Sequence, residues 1–304
     1  MLADTKLLLQ RAQKGNYAVG HFNINNMEIV QGIVKAAEKL NSPIILAASE
    51  GAIEYAGLNY LYNLALIASE NSKIPIALHL DHGKNLEIIR KCINWGFSSV
   101  MIDASHESFE KNIKLTSEIV KLAHARGVSV EAELGTIGGE EDKVKGIGIA
   151  YTDPEKAKEF VHKTGCDFLA IAIGTSHGAY KFTGEAKLKI ELLKKIQEKV
   201  KIPLVLHGAS GVPDSLVNLA KKYGAQLPGV KGIPDAQIRQ AINNGICKIN
   251  TDTDLRLAFD AAVRRFIKEH PKDIDPRHIL DPAREMIAQV VEQRIKLFKS
   301  NGKV

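Results

Sequence analysis

IPIALHLDHG, residues 74–83, begins as an apolar run and ends in two imidazoles flanking a carboxylate. Apolar runs without polar alternation are what strands look like when both faces are buried, as in a parallel sheet covered by helices. The polar end, with His79, Asp81 and His82, is foreign to a plain core and raises the question of what it faces.

Seven other runs resemble it: YAVGHFNI (17–24), PIILAAS (43–49), SSVMID (98–103), VSVEAEL (128–134), DFLAIAIG (167–174), IPLVLHGA (202–209) and ICKINTD (246–252). Amphipathic stretches such as MEIVQGIVKAAEKL (27–40), LEIIRKCINWG (86–96) and FEKNIKLTSEIVKLAHARG (109–127) lie between them, with Gly96 and Gly127 placed as helix stops. Eight strands alternating with helices predict an α/β fold, a (β/α)8 TIM barrel, as one domain over residues 1–304 with a C-terminal helical extension. A doubly wound open sheet is the competing architecture, and the strand count favours the barrel.

At or just past the strand ends stand Asn23, Ser49, Asp81 with His82, Asp103, Glu133, His177, His207, and Asn250 with Asp252. One strand ending in a polar residue is only a turn into solvent. Eight such ends in a barrel converge on one face, where barrel active sites are built. Two Gly-rich stretches, residues 134–151 and 223–234, read as long loops of the kind that serve as lids or binding loops.

The chain has 304 residues, enough for a substantial core that needs no disulfide or metal to fold. Its three cysteines are scattered, and the N-terminus lacks a signal-peptide layout; both point to the cytoplasm. No apolar run approaches the ~20 residues of a membrane span. The net charge of +6 comes from lysines interleaved with glutamates, as in residues 187–201, which reads as solvated helix faces and not a nucleic-acid surface.

His82, His177 and His207 are each followed by glycine. Three imidazoles with an open fourth position make a catalytic zinc site, and glycine lets backbone approach a metal or phosphate closely. Asp81, beside a ligand yet separate from it, is a candidate general acid or base; Asp103 and Glu133 are candidates to hold a second metal position or orient the histidines. Glu140 and Glu141 sit on the glycine-rich loop as candidate proton carriers. His79 is a candidate second-shell group, and His21 reads as structural. HGASG (207–211), GTSHG (174–178) and NTDTD (250–254) follow strands six to eight, where barrels bind phosphate, and Arg256 and Arg277 are candidate clamps for a second phosphate.

The chain resembles the class II, zinc-dependent fructose-1,6-bisphosphate aldolases along essentially its whole length, through FNINN, ASEGAIEYAG, ALHLDHG, SVMIDASH, VEAELGTIGGEED, AIGTSHG, LHGASGVP and KINTDTDLRLAF. The resemblance implies reversible cleavage of fructose 1,6-bisphosphate to dihydroxyacetone phosphate and glyceraldehyde 3-phosphate. It implies Zn2+ on His82, His177 and His207, polarising the ketone and stabilising the enediolate, with Asp103 and Glu133 as ligands of a second, buried position. Asp81 would move the C4 hydroxyl proton, and Glu141, in preference to Glu140, the proton at the dihydroxyacetone phosphate carbon. Asn23 and Ser49 would touch substrate oxygens; Gly178, Gly208, Ser210, Asn250 and Thr253 would hold the ketose phosphate near a monovalent cation, Na+ or K+. Asp252 would meet a substrate hydroxyl and Arg256 the other phosphate. The segment DPR (275–277), with Arg277, would reach a neighbouring subunit's site, implying a homodimer or homotetramer. The nearest rival, tagatose-1,6-bisphosphate aldolase, differs at NTDTDLR, which looks like the fructose type. Lys248 is the candidate for a Schiff-base mechanism, and a zinc hydrolase or a non-catalytic phosphosugar-binding barrel are readings from other classes.

Overall fold

A computed structural model describes residues 1–141, 144–146, 150–177 and 187–304, with the backbone alone at 138–141, 144–146 and 177. The strands are β1 (Val19–Asn23), β2 (Ile44–Ser49), β3 (Ile76–Gly83), β4 (Ser99–Ile102), β5 (Ser129–Leu134), β6 (Gly138–Glu141), β7 (Val144–Gly146), β8 (Phe168–Ile171), β9 (Ser176–His177), β10 (Leu204–Leu206) and β11 (Ile246–Thr251). β1, β2, β3, β4, β5, β8, β10 and β11 are parallel neighbours in that order, and β11 pairs back onto β1, so the sheet is a closed barrel and not a doubly wound open sheet.

Among the described residues the helices are α1 (Thr5–Gly15), α2 (Met27–Lys39), α3 (Glu50–Ala56), α4 (Leu58–Asn71), α5 (Leu86–Trp95), α6 (Phe109–His124), α7 (Pro154–Thr164), α8 (Ile190–Lys199), α9 (Asp214–Lys222), α10 (Asp235–Asn243), α11 (Thr253–Glu269) and α12 (Pro276–Phe298). They present apolar stripes to the barrel wall, as with Ile29, Val30, Ile33, Ala36 and Ala37 of α2. The C-terminal α12 packs across α2 and α11. Gly96 caps α5 in the left-handed region at φ 86°, as its placement predicts. α6 stops at His124, short of Gly127, which lies beyond in the following turn.

One end of the barrel is plugged. Leu8, Leu9, Ala12 and Tyr17, from α1 and the turn after it, form a cluster with Val19, Ile45, Ala77, Phe168, Val205 and Cys247, all at strand beginnings. Burying side chains of this size contributes roughly 1.5–3 kcal/mol each, and it leaves the opposite, C-terminal end as the mouth.

No helix among the described residues is long and apolar enough to cross a membrane. Cys92, Cys166 and Cys247 are all buried, and burial pushes each thiol up to about 12. Native protein near pH 8 is therefore expected to leave a thiol reagent such as dithionitrobenzoate unreacted, with all three cysteines titrating after denaturation. A full equivalent released by the folded protein would contradict this burial.

Candidate active site

Side chains two apart on a strand share a face, and four barrel strands use this to stack polar groups inside the barrel: His21 and Asn23 on β1, His79 and Asp81 on β3, Glu131 and Glu133 on β5, Lys248 and Asn250 on β11. All eight are buried. Asn23 Nδ2 donates to Asp81 Oδ2 at 2.9 Å, and Asn250 Nδ2 to Asp81 Oδ1 at 3.1 Å. Burial works against charge on Asp81, but His21 and His82 outweigh it and hold its pKa well below the carboxylate norm. Asp81 is thus an ionised acceptor held by two amides.

The neighbour of Asp81 also turns into the mouth, which simple alternation forbids. β3 does not end at Asp81 but continues to Gly83, and its pairing with β4 slips between Leu80 and Gly83. His82 occupies the left-handed region there, at φ 47°, a conformation costing a non-glycine residue roughly 1–3 kcal/mol. This bulge places Asp81, His82 and His207 in one group, with ligand atoms all within 4.8 Å of one another. Gly83 follows because a Cβ there would overlap the Met101 carbonyl.

The two imidazoles are oriented from behind. His82 Nδ1 lies 3.0 Å from Asp103 Oδ2, and His207 Nε2 lies 2.6 Å from Glu131 Oε1. Both carboxylates are held below their usual range; burial opposes this, but His82 outweighs it at Asp103, and Lys248 and His207 do so at Glu131. Acceptor-only carboxylates fix the protons on those ring nitrogens. The remaining nitrogens, His82 Nε2 and His207 Nδ1, then face each other at 2.8 Å. At that distance one of the two nitrogens carries a proton, and a metal bound there would take the proton's place. Burial lowers the basicity of His82, but Asp81, Asp103 and Glu133 outweigh it and raise its pKa to about 10.

Glu133 reports the same demand. Its Oε2 has no hydrogen-bond partner among the described residues, and burial followed by repulsion from Asp103 pushes its pKa up to about 8. His82, Asp103 and Glu133 form a second buried group able to hold a metal. The donor set fits a divalent cation. His21, His79 and Asp81 form a third such group, but burial, and after it Lys248, acts against positive charge on both histidines. His79 Nδ1 meets Ser99 Oγ at 2.8 Å.

His177 does not sit at the end of its barrel strand. β8 stops at Ile171, and His177 lies in β9, which pairs in parallel with Gly138 and Gly139 of β6. The glycine-rich stretch read as a loop therefore contains β6, which pairs antiparallel with β7. The side chains of His177, Glu140 and Glu141, and Gly178 altogether, lie outside the described residues.

On the phosphate side, Asp252 N donates to Ser210 Oγ at 3.3 Å, joining the loop after β10 to the start of α11. Gly208, at φ 59°, packs so close to Ser176 that a Cβ would overlap its backbone. Thr253 opens α11 and is buried. The Asn250 amide faces Asp81 and lies 3.2 Å from His207 Nδ1. Ser49 Oγ caps α3 by accepting from Ala52 N at 3.1 Å. Arg256 pairs with Asp252 at 2.7 Å and lines a cleft of about 370 Å³ with Asn25, Asn26 and Tyr55. Arg277 is 85% exposed and pairs with its own helix cap, Asp275.

Sequence reading passed over Glu131, the residue behind His207. The signal was the alternation in VEAEL, which sets Glu131 in phase with Glu133 inside a buried strand. Lys248 is fully buried, in an ion pair with Glu131 at 2.9 Å and donating to Asn250 Oδ1 at 2.8 Å.

A closed parallel barrel whose mouth gathers imidazoles, carboxylates and a Gly/Ser/Thr loop has the make-up of a metal-assisted barrel enzyme acting on a phosphorylated substrate. Residues 3–303 match the family described as fructose-bisphosphate aldolase class-II. A fructose-bisphosphate aldolase of Giardia intestinalis is 49% identical over 99% of this chain and 94% of its own length, and one of Thermus caldophilus is 47% identical over the whole of both. The crystal structure of the YdjI aldolase of Escherichia coli K12 superposes with a TM-score of 0.81 at 35% identity, covering 100% of this chain and 99% of that one. The chain belongs to the class II fructose-bisphosphate aldolase family.

Proposed function

We propose that the protein cleaves fructose 1,6-bisphosphate reversibly to dihydroxyacetone phosphate and glyceraldehyde 3-phosphate. The observation that carries this reading is the group formed by Asp81, His82 and His207, in a chain matching the aldolase family from residue 3 to 303. His82 Nε2 and His207 Nδ1, with His177, would hold Zn2+, and His82, Asp103 and Glu133 a second divalent position. When bound, zinc supplies Lewis-acid polarisation of the substrate ketone and stabilises the enediolate charge.

The chain's own groups do the rest. Asp81, ionised and steadied by Asn23 and Asn250, accepts the C4 hydroxyl proton in cleavage and returns it in condensation. Glu131, at His207 Nε2, holds the tautomer that turns the Nδ1 lone pair toward His82, where a metal would bind. Glu141 exchanges the proton at the dihydroxyacetone phosphate carbon. Gly208, Ser210, Thr253 and Gly178 cradle the ketose phosphate against the first amides of α11, beside a Na+ or K+ ion, where the helix dipole favours an anion. Asn250 also serves the ketose phosphate, Asn23, Ser49 and Asp252 face substrate oxygens, and Arg256, at its cleft, takes the second phosphate. Arg277, exposed on this chain, would reach a partner's mouth in a homodimer or homotetramer. The enzyme works as a single domain in the cytoplasm.

Assaying fructose and tagatose 1,6-bisphosphates side by side, with and without a chelator, tests the reading. Triose phosphates from the fructose substrate, abolished by chelation and restored by zinc, are expected. Activity that survives chelation and is trapped covalently by borohydride would instead assign Lys248, and release of inorganic phosphate without triose phosphates would assign a hydrolase.

A further inference from the structure

Among the described residues Arg294 and Lys248 are the buried arginine and lysine. Lys248 belongs to the metal site, whereas Arg294 comes from the far end of α12. Its Nε lies 2.9 Å from Asp254 Oδ2, and its Nη1 donates to Asp235 Oδ1 at 3.0 Å. Asp254 is itself fully buried in the first turn of α11, and its other contacts point to the loop after β10. Asp254 Oδ1 accepts from Val212 N at 2.7 Å, and Oδ2 from Gly211 N at 3.2 Å.

That loop is under strain where it is gripped. Val212 stands at φ 47°, and a β-branched side chain in the left-handed region persists only when its surroundings impose it. The imposing contact is the Asp254 carboxylate on its amide. Two more constraints converge: Ile233 N donates to Ser210 O at 3.1 Å, and both Gly211 and Gly232 pack where a Cβ would overlap Arg294 or the Gly211 backbone. A carboxylate this buried needs a compensating cation, and Arg294 supplies it.

We infer that Arg294 is a positioning residue for substrate binding: through Asp254 it holds Gly211 and the strained Val212, and so sets the course of the loop that carries Ser210 in the phosphate cradle. The inference rests on the reading that Gly208 and Ser210 receive the ketose phosphate. Among the described residues Arg294 meets Asp254, Asp235 and Gly211, none of them a proposed metal ligand, so its removal acts on substrate affinity ahead of the chemical step.

The test compares R294M, R294K, D254N and S210A in the zinc-loaded full-length enzyme, measuring KM and kcat for fructose 1,6-bisphosphate, competitive inhibition by inorganic phosphate, and zinc per protomer. For R294M a loss of about 10- to 100-fold in kcat/KM is expected, the scale of a misplaced binding group, falling mainly on KM. Phosphate inhibition should weaken in parallel and zinc content should be unchanged. R294K, which restores the charge without the planar fork, should recover part of the loss. D254N should move KM in the same direction, and it decides the matter if R294M does not fold. KM and phosphate inhibition within twofold of the parent in R294M or D254N, while S210A weakens both, would overturn the role of Arg294 and leave the phosphate cradle standing. Loss of zinc together with kcat, at constant KM, would overturn it as well. No effect in S210A would overturn the cradle and the inference together.

Discussion

Alanine at His207 is expected to remove bound metal and activity together. The imidazole presents Nδ1 to the gap shared with His82 Nε2 and is fixed from behind by Glu131. A site with three protein ligands does not spare one. The loss should exceed the roughly 10–100-fold drop in affinity that follows removal of a merely supporting residue. Folding should survive, because Glu131 keeps its ion pair with Lys248 at 2.9 Å and forfeits one hydrogen bond, a cost of about 1–3 kcal/mol. Zinc per protomer after gel filtration, with a circular dichroism melt as control, makes the check. Full zinc occupancy in the variant would sink the assignment of His207.

The second large effect separates metal binding from proton transfer. Asp81→Ala is expected to keep zinc and lose turnover by ~10²–10⁴-fold, the contribution of a positioned general acid–base, or about 3–5 kcal/mol of barrier. Metal should stay because His82 and His207 keep their supports in Asp103 and Glu131. The amides of Asn23 and Asn250, which now steady the carboxylate, are left without that acceptor, so KM can also move. Steady-state kinetics beside metal analysis settles the role, and a near-normal rate in the zinc-loaded variant would remove Asp81 from the chemistry.

Much of this site was legible beforehand because buried parallel strands state their ends plainly. Polar residues closing eight apolar runs converge only if the runs are parallel and the sheet closes, and the pairing of β11 with β1 meets that condition. Glu131 escaped notice because a strand interior is expected to be apolar, and its partner Lys248 lies 117 residues further along the chain. The pair is sensible only once both strands line the same barrel.

The sequence by itself determined the order of the eight barrel strands and the family, since periodicity and local motifs are properties of short segments. Only the tertiary structure decided that Asp81 and His82 face the same way, because that depends on a bulge set by pairing with β4. It also placed His177 on a strand beside β6, and tied the last helix to the loop at Gly211 and Val212 through a buried charge pair. Register slips and long-range ion pairs are settled by which chain segments share a wall, and no local pattern encodes that.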